Sequence, residues 1–201
     1  MERGAGEKGR KAKGRFMISK IGNWSEARPS LFIVGVGNLL MSDDGVGVHA
    51  VAALQKDPIP GVTMLEMGTA ILHGVDLLES ATRVLVIDAA RGGQPPGTIY
   101  QFEPGEPTGL TAAASLHALG LREALRFLSC GPPPSISVIG VEPQTIAYGL
   151  ELSPVVGAAL GAVIALARRT AVAWLDGTDP THHAMPLAPG QRASVEMPCY
   201  R

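Results

Sequence analysis

Three apolar runs limit the folds open to this chain more than any other feature: LFIVGV at 31–36, VLVIDA at 84–89 and ISVIGV at 136–141. A strand with one wet face alternates apolar and polar residues, and these scarcely do, so both of their faces must be covered. Covering both faces of a sheet takes helices on each side. The sequence between the runs supplies helical stretches over 46–56, near 74–80, from Ser115 to about 128, and from Ser153 to 174. Ser42 is placed to cap the first, with Asp43 and Asp44 in its opening turn, and Asp57-Pro58 and Pro60-Gly61 stop it. Val62 to Met67 reads as a further strand, and TIYQF at 98–102 alternates like an edge strand. Strands alternating with helices predict a three-layer α/β/α domain with a mostly parallel sheet and right-handed crossovers.

With 201 residues, 46% of them hydrophobic and 17% charged, the chain has material for one well-filled core and too little for two. The core is expected over 31–175. Residues 1–30 are polar and basic, lack an apolar h-region, and read as a flexible arm; residues 176–201 are turn-rich and aperiodic and read as a tail. A formal net charge of −1 argues against a general nucleic-acid binder. Cys130 and Cys199 form neither a disulfide framework nor a zinc cluster. The apolar stretch 155–172 carries Arg168 and Arg169 and is rich in small residues, so it reads as a core helix and not a membrane span. These features together predict a cytoplasmic protein. The sequence leaves its oligomeric state open, a monomer included.

The segment GVGNLLMSDDGVG, 35–47, places a glycine-rich turn directly after a buried strand. It is not a nucleotide loop. A dinucleotide turn needs G-x-G-x-x-G, and position 40 is Leu; no G-x-x-x-x-G-K-S/T stretch occurs either. Two adjacent acids suit a cation better than a phosphate. Neighbouring helical side chains point about a hundred degrees apart, so only one of them is expected to face a shared site. Asp88 ends a buried strand, where a carboxylate is costly unless paired or bound to a cation. His117 falls in the first turn of a helix, where the dipole favours the neutral, metal-binding imidazole. Ligands of doubly wound sheets collect beyond the carboxyl ends of the strands, and all of these residues map there. An acid, Asp88 and His117 would make an oxygen, oxygen, nitrogen set for a borderline first-row cation. His49 and His73 have weaker claims, and His182 and His183 lie together in the tail.

Five collinear pieces carry a family resemblance: GVGNLLMSDDGVGVHAVAAL, GTA at 68–70, VLVIDAARGGQPPGTI, SLHALGLREAL and VIGVEPQTIAYGLELSPVV. In this order they resemble the endopeptidases that mature the large subunit of nickel–iron hydrogenases. The resemblance implies a five-stranded, mostly parallel sheet flanked by helices. It also implies removal of a short C-terminal extension from the hydrogenase large-subunit precursor after nickel insertion. By motif position the catalytic and metal-binding residues fall on Asp44, Asp88 and His117. Nickel would be supplied by the precursor and not permanently held. Gly35, Gly37, Asn38, Asp43, Gly68 and Thr69 are expected to line the groove that receives substrate, with Asp43 also serving the helix start. The same ligands would suit a non-proteolytic chaperone that checks the precursor for nickel. A hydrolase or phosphorylase of phosphate-bearing small molecules would want a basic residue between Gly35 and Gly47, and none is there.

Overall fold

The computed structural model describes residues 31–70, 77–78, 81–104, 116–128 and 134–178. The expected helix near 74–80, Ser115, both cysteines, the arm 1–30 and the tail beyond 178 lie outside the described residues, apart from 77 and 78. The elements run β1 (Leu31–Val36), a 3-10 turn (Ser42–Gly45), α1 (Val46–Leu54), β2 (Thr63–Gly68), β3 (Arg83–Ala89), β4 (Ile99–Phe102), α2 (Leu116–Leu128), β5 (Ser135–Val141) and α3 (Pro154–Leu175). They build one five-stranded sheet of order β2-β1-β3-β5-β4. All neighbours are parallel except the edge pair β4 and β5.

Side-chain parity within the strands explains why the apolar runs do not alternate. Leu31, Ile33, Leu85, Ile87, Ile139 and Val141 face one layer, where α1 and α3 contribute Val51, Leu54, Val163, Ala167 and Trp174. Phe32, Val34, Val84, Val86, Ile136 and Val138 face the other, against Leu121 and Leu125 of α2. Each fully buried aliphatic contributes about 1.5–3 kcal/mol relative to exposure. Arg122 of α2 donates to the Pro104 carbonyl just beyond β4, fixing that helix against the sheet edge. By length and composition α3 could cross a membrane. Its Val156, Val163, Ala167, Ala171 and Trp174 nevertheless complete the core, with the Arg83 guanidinium 5.3 Å from the centre of the Trp174 ring.

The chain leaves β1 for the edge strand β2 and then returns to start β3 on β1's other side. This reversal makes the carboxyl ends of β1 and β3 the switch point, where loops part and leave a crevice. Two glycines let α1 begin directly against those strands. A Cβ on Gly47 would stand 2.0 Å from the Ile87 carbonyl oxygen and 2.5 Å from that of Val36. One on Gly35 would stand 2.3 Å from the Gly47 oxygen.

Two local expectations fail here. Ser42 caps nothing: the residue before α1 is Gly45, without a side-chain cap, and the helix ends at Leu54 instead of 56. Ser42 is instead drawn to φ +50°, because its N–H reaches across to the Gly149 carbonyl at 2.8 Å. Replacing Gly47 with Ala should cost about 3 kcal/mol through overpacking, read as a lower urea midpoint with an unchanged slope.

Candidate active site

The loop after β1 brings its acids to the strand ends by backbone means. Gly37 takes φ +111°, open to glycine and strained for other residues. Its N–H donates to the Gly68 carbonyl at 3.1 Å, joining the ends of β1 and β2. The Asp44 carbonyl oxygen lies so close that a Cβ on Gly37 would stand 1.8 Å from it. Asn38 donates its N–H to Asp44 Oδ2 at 2.7 Å, and its own Oδ1 accepts the Leu40 N–H at 3.0 Å. Asp44 is thus held by the backbone of the turn it belongs to, half-buried at the crevice.

Asp88 continues the Val84–Val86 face of β3 and so points toward the α2 layer, where His117 begins its helix. The imidazole Nδ1 lies 3.3 Å from Asp88 Oδ1, with the carboxylate fully buried and His117 29% exposed. The Ala89 N–H also donates to Asp88 Oδ1, at 2.8 Å. The hydrogen bond to Asp88 raises the His117 pKa above the ordinary imidazole value; burial opposes this, and the charges of Asp88 and Asp44 add to it. The shift runs against the one expected from the helix start, where the dipole favours the neutral ring. A fixed carboxylate in direct contact outweighs a dipole whose effect is worth about 0.3–1 kcal/mol. The same contact orients the ring and leaves Nε2 as the nitrogen not facing Asp88.

Of the three expected site residues, Asp88 and His117 touch, and Asp44 is near enough for its charge to act on the imidazole. Among the described residues, no three His, Cys, Asp or Glu side chains already enclose a metal position. Gly37 and Gly68 stand at the crevice, their backbones hydrogen-bonded to each other; Asn38 is half-buried there and Thr69 is exposed. Gly35 is buried beneath Gly47, where it serves helix packing and lines no groove.

Asp43 is likewise no groove residue. It is fully buried and accepts four hydrogen bonds. The Gln144 and Thr145 N–H groups reach Oδ2, each at 2.9 Å. The Ser153 N–H reaches Oδ1 at 2.7 Å and its hydroxyl donates to Oδ2 at 2.9 Å. One carboxylate thereby clamps the whole segment between β5 and α3 onto the first loop. Sequence reading missed this role because its donors lie a hundred residues away.

It also missed Glu142, buried at the end of β5. Glu142 Oε2 accepts the Gly92 N–H at 2.7 Å and the Gln94 N–H at 3.3 Å, and it accepts the Tyr100 hydroxyl as well. Burial, then the Glu142 hydrogen bond, push the Tyr100 phenol up to about 12. The only signal for Glu142 was an acid closing an apolar run, the signal that singled out Asp88.

Fold and site define a doubly wound α/β protein with an acid-and-histidine centre at its switch point. Residues 48–170 match the family described as HycI, hydrogenase maturation protease. The chain is 33% identical over 154 residues to the hydrogenase expression/formation protein HupD of Rhizobium leguminosarum bv. viciae, spanning 73% of this chain and 76% of the relative. It is 32% identical over 153 residues to the hydrogenase 2 maturation protease of Escherichia coli K12, spanning 71% and 93%. Among solved structures, the Escherichia coli hydrogenase maturating endopeptidase HybD superposes with a TM-score of 0.61 at 28% identity, over 74% of this chain and 94% of that one. The chain belongs to the hydrogenase maturation protease family.

Two measurements check the geometry. In an NMR titration of the free protein His117 should titrate above the ordinary value of about 6.5, and Asp88→Asn should bring it down. With the folded value raised, the pair's contribution to stability is complete below about pH 6.5 and fades as pH climbs through the raised value. Asp43→Asn should cost about 3 kcal/mol, since a buried amide cannot accept all four bonds. It should also speed amide hydrogen exchange at Gln144, Thr145 and Ser153.

Proposed function

We propose that this protein is the endopeptidase that removes a short C-terminal extension from the large-subunit precursor of a nickel–iron hydrogenase. In this reading Asp44, Asp88 and His117 engage nickel carried in by the precursor itself. The observation that carries it is the buried Asp88 held against His117 at the switch point, with Asp44 alongside, in a member of this protease family. Carboxylate oxygen and neutral imidazole nitrogen are suitable donors for a borderline cation such as nickel.

Each residue has a defined part. Asp88 fixes the ring so that one nitrogen is presented in a constant direction, and it offsets positive charge brought into the crevice. Asp44 adds a second carboxylate, near enough for its charge to act on the imidazole. Gly37 and Gly68 tie the ends of β1 and β2 together at the edge of the crevice, with Asn38 and Thr69 beside them as groups a substrate backbone would meet. A precursor whose nickel meets these groups has its scissile bond held in one place, and a misplacement near 1 Å can cost about a hundredfold in rate. A precursor without nickel lacks that anchor. Nickel, when present, could also polarise the scissile carbonyl or activate water.

Purified protein mixed with nickel-loaded precursor should shorten the large subunit, read as a mass loss by mass spectrometry, while nickel-free precursor keeps its mass. His117→Ala should stay folded by circular dichroism and cleave at least about a hundredfold more slowly. Wild-type cleavage by that variant would overturn the assignment of His117. Tight binding of the precursor with no mass change by the wild-type protein would instead identify a non-proteolytic nickel checkpoint.

A further inference from the structure

Beside the site stands a set of large apolar side chains in solvent: Leu39, Leu40, Ile146, Tyr148 and Leu150, with Tyr148 92% and Leu150 68% exposed. They are not scattered. Met41 and Gly149 form a parallel bridge. The Gly149 N–H donates to the Leu40 carbonyl at 3.0 Å, and the Ser42 N–H donates to the Gly149 carbonyl at 2.8 Å. These bonds lay segment 39–42 along segment 146–150. No Asp, Glu, Lys or Arg occurs in 38–42 or 143–150, so the two strips form one uncharged apolar surface. Such surfaces, especially with a tyrosine, mark places where another chain is received.

The surface is tied to the catalytic residues through the adjacent acids. Asp44 holds the N–H of Asn38, the residue before Leu39. Asp43 holds Gln144 and Thr145 at one end of the second strip and Ser153 beyond the other. A Cβ on Gly45 would stand 3.1 Å from Leu39 Cα, so the start of α1 backs directly onto the first strip. A peptide that reaches Asp44 therefore reaches this surface as well.

We propose that Leu39, Leu40, Ile146, Tyr148 and Leu150 form the docking surface for an apolar segment of the hydrogenase large-subunit precursor adjoining its scissile bond. The proposal rests on the proposed function. Its occupant is the precursor because the surface is continuous with the site that must receive that chain, and because an uncharged apolar strip fits an apolar peptide. It selects substrate by binding and takes no part in bond breaking.

The test is the triple variant Leu40→Ser, Tyr148→Ser, Leu150→Ser, all three side chains being exposed and outside the core. Its circular dichroism and urea midpoint should match wild type. With nickel-loaded precursor, KM should rise about tenfold or more with kcat unchanged, whereas Val172→Ser, exposed on α3, should change neither. An unchanged KM overturns the proposal. So does light scattering that shows a wild-type dimer abolished by the triple variant, which would make the surface an interface between copies. Titration calorimetry with purified precursor decides the matter even where the wild-type protein does not cleave: weaker binding by the triple variant supports the surface, and equal binding rejects it. Failure to cleave by the wild-type protein counts against the proposed function alone.

Discussion

A carboxylate wholly withdrawn from water must have both oxygens satisfied, and Asp43 meets that demand only if two loops far apart in sequence come together. Its four donors come from Gln144, Thr145 and Ser153, the two ends of the segment that leads from β5 into α3. Removing those donors would leave a buried charge alone, at a cost of several kcal/mol. The clamp also explains why Ser153 precedes α3 without capping it: its hydroxyl is committed to Asp43. Everything at the mouth of the site is arranged around this interaction, from the strained Ser42 to the bridge between Met41 and Gly149.

Next to the clamp, one position along the chain, Asp44 stays half-buried and near enough for its charge to act on His117. The adjacent acids have divided two jobs that ordinarily compete. One carboxylate supplies rigidity, and the other, held by the Asn38 N–H, is the one assigned to nickel in the proposed function. Glu142 repeats the first pattern on the far side of β3, tying down the loop after Asp88 through Gly92, Gln94 and Tyr100. The dyad of Asp88 and His117 therefore lies between two loops, each anchored by a buried acid.

Much of the fold was legible because it depends on hydrophobic periodicity, a local property. Unalternating runs called for cover on both faces, and the two packed layers provide it. TIYQF, with Thr98 and Gln101 among apolar residues, read as a strand not buried on both faces, and β4 lies at the sheet edge. The need of Asp88 for a partner was legible for a related reason: an acid ending a buried strand has few stable options, and His117 is the partner it meets. Less visible were the upward shift of the His117 pKa, caused by a contact with a residue on another element, and the burial of Gly35 and Asp43, set by what packs over them.

The sequence alone determined the α/β alternation, the sheet's buried character and the chemistry available at the strand ends, because each follows from residue type and spacing along the chain. Only the tertiary structure decided that Asp43 is a buried clamp and Asp44 is not, and that a carboxylate holds the imidazole against the pull of its helix. It also decided that Leu39, Leu40, Tyr148 and Leu150 share one surface. These are outcomes of contacts between distant segments, and no local pattern encodes which segment will fold back onto which.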